Sequence, residues 1–98
     1  MLIAISNYTK PLEEVDSHRA DHIEYVKKLI LASKLHAAGR QTPAIGAVII
    51  ANHHISRDEL LGLLAEDPYC KAGVAEYKII EFNPVLCDEA FRAFVESV

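Results

Sequence analysis

The residues best suited to chemistry are a histidine and an aspartate that lie far apart in the chain. His22 follows Arg19 in the first turns of a predicted amphipathic helix, and Asp67 begins the sequence Asp67-Pro68-Tyr69 after a second helix. If the fold joins them, the carboxylate orients an imidazole that can accept and return a proton. The pair therefore predicts a proton-transfer dyad, and the sequence does not name its substrate.

Three further residues are candidates for substrate binding. Arg19 can hold a carboxylate through its planar guanidinium, or it can form a salt bridge with Asp16 or Glu13. Tyr69 can line a pocket or fill the edge of the core. Tyr8 ends the first predicted strand and can lie near the same place.

The two candidate catalytic residues also have structural interpretations. His22 can be a half-buried histidine that makes one structural hydrogen bond. An aspartate before a proline is a common turn former, so Asp67 can serve the backbone alone. These alternatives stay open at the level of the sequence.

Other chemistry is less well supported. His18 and His22 are four residues apart, which suits two metal ligands on one helix face, and His53-His54 offers a third. No H-E-x-x-H pattern accompanies them, and His18 falls at the frayed start of its helix. We therefore predict no metal site, and the dyad calls for no redox cofactor.

The two cysteines form neither a disulfide framework nor a CxxC pair. Lys71 could lower the pKa of Cys70, but no base stands beside that thiol in the sequence. Cys70 and Cys87 are expected to be free, as in a cytoplasmic protein.

Composition excludes several classes of function. The chain has 98 residues, 51% of them hydrophobic, and a net charge of −4, which suits one small acidic domain. Its ten basic residues are scattered, so nucleic-acid binding is not predicted. No apolar run approaches a membrane span, and the N-terminus lacks the basic region of a signal peptide. A cytoplasmic location is expected.

Hydrophobic periodicity predicts the order β-α-β-β-α-β followed by one extra helix. The first helix begins at Asp16 or Ser17 as its cap, ends near Ser33, and buries a stripe made by Ile23, Val26, Leu29 and Ile30. The second begins with a Ser56–Glu59 capping box and ends at Asp67-Pro68. The extra helix is capped by Asp88 and carries Ala90, Phe91, Phe94 and Val95 on one side. Strands are predicted over residues 2–8, 35–39, 45–51 and 74–82, with a loop over 40–44.

This order predicts an α+β ferredoxin-like sandwich, with both helices on one face of a four-stranded antiparallel sheet. It places an α+β domain at residues 1–85 and a helical extension at residues 86–98. The run Val48-Ile49-Ile50 puts apolar side chains on both faces. Ile80 and Phe82 lie on the face opposite Tyr77 and Ile79. An uncovered apolar face predicts a homodimer that packs sheet against sheet.

Five short motifs resemble those of the YCII-like (YciI) family over roughly residues 1–85. They are Arg19-x-x-His22-Ile23, Leu35-x-x-Ala38-Gly39, Asp67-Pro68-Tyr69, Ala72-Gly73-Val74 and Phe82-x-Pro84-Val85. The resemblance implies a ferredoxin-like fold, a dimer joined through its sheets, and a site around His22 and Asp67, with Arg19 matching the basic residue before the histidine. The family includes a dechlorinating enzyme of aromatic degradation, and muconolactone isomerases share its fold.

The sequence departs from the family pattern after Gly39. The family usually continues with proline and a longer glycine-rich loop, whereas here Arg40 follows and the loop to Ile45 is short. Ligand contacts of that loop are therefore not carried over.

Two hypotheses follow. The first is a small dimeric enzyme that abstracts a proton from, or eliminates a group from, a small carbonyl or carboxylate compound such as a lactone. The second is a non-catalytic dimeric module that binds a small ligand or another protein. Retention of His22 and Asp67 favours the first hypothesis, and the shortened loop favours the second.

Overall fold

The computed structural model describes residues 1–97 and contains a four-stranded antiparallel sheet in the order β2-β3-β1-β4. Its elements are β1 (Leu2–Tyr8), α1 (Leu12–Asp16), α2 (Arg19–Leu31), β2 (Leu35–Arg40), β3 (Ala47–Ala51), α3 (Arg57–Ala65), α4 (Pro68–Lys71), β4 (Ala75–Glu81) and α5 (Glu89–Glu96). The predicted ferredoxin-like α+β fold is confirmed. Two short helices, α1 and α4, were not predicted.

The sheet has a core face and an outer face because side chains alternate along each strand. On the core face, Ala4 is paired with Ile49 and Ile79. One residue earlier, Ile3 is paired with Ile50 and Ile80 on the outer face. The core between the sheet and the helices is formed by Leu2, Ala4, Val26, Leu35, Ile49, Ala51, Leu60 and Leu64.

The predicted start of the first long helix is wrong. Asp16 ends the separate helix α1, and α2 begins after His18, whose side chain makes no capping hydrogen bond. The carboxylate of Asp16 instead binds the guanidinium of Arg40. A partner on a distant strand has therefore displaced the local cap that the sequence pattern favoured.

The predicted apolar stripe of α2 is only half correct. Val26 is 7% exposed and lies in the core, whereas Ile23 and Ile30 are each 38% exposed. These two isoleucines flank a cavity between α2 and the sheet. The outer part of the apolar face of α2 therefore lines open space.

Helix α3 begins as predicted, with the Ser56 hydroxyl accepting a hydrogen bond from the Glu59 N–H at 3.1 Å. The reciprocal bond of the capping box is not made, because the Glu59 carboxylate pairs with Lys34 at 2.6 Å. The helix ends at Ala65, and Asp67 begins α4.

The hairpin between β2 and β3 spans residues 41–46, so Arg40 belongs to β2 and Ile45 to the loop, against the prediction. Gly46 closes this loop in a tight position. A Cβ atom there would lie 1.8 Å from the carbonyl oxygen of Ser6. Because backbone atoms of the central strand cannot move aside cheaply, only glycine fits.

Helix α5 lies at the end of the sheet opposite the cavity. Asp88 caps it as predicted, accepting from the Phe91 N–H at 2.7 Å. Its last turn is reached by the His54 ring, whose Nε2 donates to the carbonyl of Ser97 at 2.9 Å. Val98, the last residue of the predicted extension, lies outside the described residues. Within residues 1–97, every helix is too short or too polar to cross a lipid bilayer.

We expect Gly46→Ala to destabilise the protein by at least about 2 kcal/mol, because the added methyl forces the β1 and β3 backbones apart. Gly62→Ala is the control, since its Cβ would meet no atom within 4 Å. In the exposed helix α3, that change should stabilise by about 0.5–1 kcal/mol. Urea unfolding of both variants measures the difference, and equal midpoints would contradict the tight position of Gly46.

Candidate functional site

The structure brings His22 and Asp67 together. Helices α2 and α3 pack side by side in opposite directions, so the start of α2 meets the segment that follows α3. The imidazole Nδ1 of His22 lies 2.8 Å from Oδ1 of Asp67. Both side chains are buried, with the two residues 9% and 1% exposed.

Asp67 accepts three hydrogen bonds. Its Oδ1 receives the bond from His22 and one from the Tyr69 N–H at 2.9 Å, and its Oδ2 receives the hydroxyl of Tyr77 at 2.6 Å. All three partners can donate, which suits an ionised carboxylate that accepts only. The burial and the negative charge of Asp67 raise the pKa of Tyr77 far above its usual range, so its hydroxyl keeps the proton that it donates.

Local sequence explains the placement of Asp67. Its extended backbone and its bond to the Tyr69 N–H cap the short helix α4, and Pro68 occupies the first helical position. The helix ends at Lys71 with Ala72 as its C-cap, and Gly73 follows with a φ of +70°, which suits glycine. The Val74 N–H then bonds to the Tyr69 carbonyl at 3.0 Å. The Asp-Pro-Tyr and Ala-Gly-Val motifs are thus the start and the end of one turn of helix.

The hydrogen bond to Asp67 determines the tautomer of His22. An ionised carboxylate cannot donate, so Nδ1 carries the proton and Nε2 of the neutral ring keeps a free lone pair. The imidazole stacks on the ring of Tyr69, with centroids 3.9 Å apart and planes 7° from parallel. The stacking and the hydrogen bond together fix the orientation of the imidazole ring, which a general base requires.

His22 faces a cavity of about 320 Å³ between α2 and the core face of β2 and β3. That volume is at the lower end of small-molecule sites. The cavity is lined by Tyr8, Arg19, His22, Ile23, Val26, Lys27, Ile30, Ala38, Gly39, Arg40, Ala47, Ile49 and Tyr69. Three of these residues are cations and none is a carboxylate, although the protein as a whole carries a net charge of −4.

Each candidate substrate-binding residue lines this cavity. Tyr69 both fills the core edge and lines the pocket, because it is 2% exposed and also borders the cavity. The Tyr8 ring packs edge-on against it, with centroids 6.0 Å apart. Arg19 lies at the cavity wall, and among residues 1–97 it forms no ion pair. The predicted alternative of a bridge from Arg19 to Asp16 is wrong, because Asp16 binds Arg40.

Sequence reasoning missed two residues of the site, Tyr77 and Arg40. Tyr77 was assigned to the core face of β4 without a role, and the alternation of that strand could have aimed it at Asp67. Arg40 was noted only as a departure from the family pattern. Its position at the end of a strand, like that of Tyr8, is the signal that could have placed it beside the cavity.

Lys71 could have lowered the pKa of Cys70, and the structure shows the opposite shift. Burial, followed by the negative charge of Asp67, raises the pKa of Cys70 to about 11. Lys71 instead pairs with Glu66 at 3.4 Å. Both cysteines are free thiols in the described chain. Across residues 1–97, no three His, Cys, Asp or Glu side chains are grouped closely enough to hold a metal ion.

The sequence profile of the YCII-related domain matches residues 1–83. The chain belongs to this family. The match covers β1 to β4, the dyad and the cavity, and it ends before α5.

A solved structure supports the same fold for this YCII-domain protein. It is the 5-chloro-2-hydroxyhydroquinone dehydrochlorinase TftG from Burkholderia phenoliruptrix AC1100, in complex with 2,5-dihydroxybenzoquinone. The two chains align with a TM-score of 0.68 and 22% sequence identity, over 85% of this chain and 94% of the other. No curated protein matches the chain.

The raised pKa of Cys70 predicts selective alkylation. At about pH 8 the Cys70 thiol stays protonated and should react slowly with iodoacetamide, while the exposed Cys87 reacts first. Labelling of Cys70 should accelerate as the pH approaches its pKa of about 11. Peptide mass spectrometry of timed samples separates the two sites, and equal rates at the lower pH would contradict the assignment.

Proposed function

We propose that this YCII-domain protein is a small-molecule enzyme that uses His22 and Asp67 as a dyad for proton abstraction or elimination. The substrate class is a small carbonyl or carboxylate compound. The observation that carries the proposal is the 2.8 Å hydrogen bond between the buried carboxylate and an imidazole that borders a cavity. A structural histidine needs no adjoining cavity, whereas a general base does.

In the proposed step, Nε2 of His22 takes a proton from the carbon next to the substrate carbonyl. The released electron pair either moves onto the carbonyl oxygen as an enolate or expels a leaving group from the neighbouring carbon. The imidazolium that forms is stabilised by the Asp67 carboxylate, and it returns its proton to the product or to water. The step is redox-neutral and draws on no redox cofactor.

Residues around the dyad are suited to bind such a substrate. Arg19 supplies a positive charge for an enolate or carboxylate, and Tyr69 and Tyr8 form an aromatic wall. The dehydrochlorinase of similar fold is described with a dihydroxylated quinone, a flat ring with acidic hydroxyl groups. We extend that compound class, and not the individual substrate, to this protein.

His22→Gln tests the base. Glutamine keeps a polar side chain but cannot accept a proton at neutral pH, so turnover should fall by about 10²–10⁴-fold. The screen uses chlorinated hydroxyhydroquinones and small lactones, followed by absorbance. His18→Gln is the control, because His18 lies one turn earlier and outside the cavity.

Binding and turnover separate the enzyme from the alternative hypothesis, a non-catalytic ligand-binding module. Compounds that raise the melting temperature without being converted would favour the module. Conversion that persists undiminished in His22→Gln would rule out His22 as the base.

We also propose that the protein is a homodimer joined through the outer faces of its sheets. That face carries Ile3, Ile50 and Ile80 in adjacent register, and Phe82 extends it. Ile80 and Phe82 are 39% and 41% exposed in one chain. Contiguous exposed apolar side chains on a sheet favour burial against a second copy of the same surface.

Ile80→Glu should convert the dimer into monomers or cause aggregation, because a glutamate in a dry interface is an unpaired buried charge. Leu61→Glu is the matched control, since Leu61 is 49% exposed on α3, on the opposite side of the sheet. Multi-angle light scattering at micromolar concentration gives the mass of each variant. A folded monomer of the unchanged protein would contradict the proposal.

A further inference from the structure

Arg40 is a cation of the cavity to which no motif assigns a role. It is the last residue of β2 and is paired with Ala47 on the core face of the sheet. Its Nε donates to the Tyr8 hydroxyl at 2.9 Å, and its Nη2 donates to the carboxylate of Asp16. The second bond joins the end of α1 to the edge of the cavity.

The ion pair between Arg40 and Asp16 differs from the lysine–carboxylate pairs in the described chain, in which the Lys28, Lys34 and Lys71 side chains are 72%, 42% and 62% exposed. Lys28–Glu24 and Lys71–Glu66 are pairs between side chains that are each more than 60% exposed. In the Arg40 pair, the arginine side chain is only 20% exposed and the aspartate 41%. The arginine is thus withdrawn into the cavity wall, while its counter-ion stays in water.

The guanidinium has donor capacity left over. It carries five N–H groups in a planar fork, and within residues 1–97 the bonds to Tyr8 and Asp16 account for two of them. Nη1 takes part in neither of these bonds and is not buried without a partner, so it is open to solvent or to a ligand. A planar carboxylate or enolate matches this fork with two parallel hydrogen bonds.

Arg40 also lies close to the proposed reacting centre. The Tyr69 ring stacks on His22, the Tyr8 ring packs against Tyr69, and the Tyr8 hydroxyl holds the guanidinium. The positive charge of Arg40 reaches the hydroxyl of Tyr69 and partly offsets the rise in the pKa of that group caused by burial. His22 and Arg40 therefore border the same cavity and are connected through the two tyrosine rings.

We propose that Arg40 is the anion-binding residue of this cavity and that Asp16 is its internal counter-ion, which an anionic substrate displaces. The ligand class is a small planar organic anion, a carboxylate or an acidic hydroxyquinone, with an apolar ring against Ile23, Val26 and Ile49. The proposal rests on the proposed function for the identity of the site, and it adds the ligand charge and an autoinhibitory contact.

The displacement follows from the two environments. The bond to Asp16 is partly hydrated, so water and salt weaken it. A ligand anion inside the cavity exchanges that bond for one in a less polar setting, where the same charges attract more strongly. The cavity lining contains no carboxylate, and Asp16 is the carboxylate that competes with a ligand for Arg40.

Asp16→Asn tests the counter-ion. It keeps the shape of the side chain and removes the charge, so an anion should bind about three- to tenfold more tightly to the freed arginine. The probes are benzoate, its uncharged isostere benzamide, and 2,5-dihydroxybenzoquinone, measured by calorimetric titration. Glu24→Gln is the control, because it removes the same charge from an exposed ion pair outside the cavity.

Arg40→Gln should weaken benzoate and the hydroxyquinone by about tenfold or more and leave benzamide unchanged. Arg40→Lys should restore part of the affinity, because it keeps the charge without the planar fork. Arg19→Gln is the competing variant. If it removes anion binding while Arg40→Gln does not, Arg19 is the anion holder and the proposal is overturned.

Three other results would overturn the proposal. They are unchanged or weaker anion binding in Asp16→Asn, an equal response of benzoate and benzamide, and no measurable binding of any probe to Asp16→Asn. These readouts are independent of turnover. Charge-dependent binding without any conversion would leave the Arg40 assignment standing and remove the enzymatic function. Conversion that needs His22 but not Arg40 would support the enzymatic function and overturn the Arg40 assignment.

Discussion

The arrangement of the site depends on one buried carboxylate. Asp67 is 1% exposed, and an ionised carboxylate removed from water costs several kcal/mol unless donors surround it. Its donors come from three elements: the His22 ring on α2, the Tyr69 N–H on α4 and the Tyr77 hydroxyl on β4. Satisfying this one charge therefore ties two helices, α2 and α4, to the sheet at a single point. Any shift of one element would leave a buried acceptor without its partner.

The same constraint shapes the cavity. Because Nδ1 of His22 is engaged by Asp67, the opposite nitrogen keeps its lone pair, and stacking on Tyr69 holds the ring in place. Around this nitrogen, α2 contributes both apolar side chains and the cations Arg19 and Lys27, and the third cation, Arg40, lies at the end of β2. Although the protein is acidic, three cationic side chains and no carboxylates line this cavity. This local field favours a negatively charged ligand over a neutral one.

Patterns of short range predicted much of the fold. The alternation of the strands, the Ser56 and Asp88 caps and the order of elements agree with the structure, because each depends on neighbours within a few residues. The helix start at Asp16 was wrong because a long-range partner, Arg40, competed successfully for that carboxylate. The stripe of α2 was half wrong because periodicity reports which face is apolar, and it does not report whether protein or open space lies opposite.

The sequence by itself determined the α+β order, the family motifs and the candidacy of His22 and Asp67, since residue type and local spacing carry that information. Only the tertiary structure decided that the two side chains meet at 2.8 Å, that the Tyr77 hydroxyl binds the other carboxylate oxygen, and that Arg40 lies beside the same cavity. The physical reason is sequence separation. A pair 45 residues apart meets only when the packing of α2 against α3 and the register of the sheet are both set, and no local pattern encodes that sum of packing interactions.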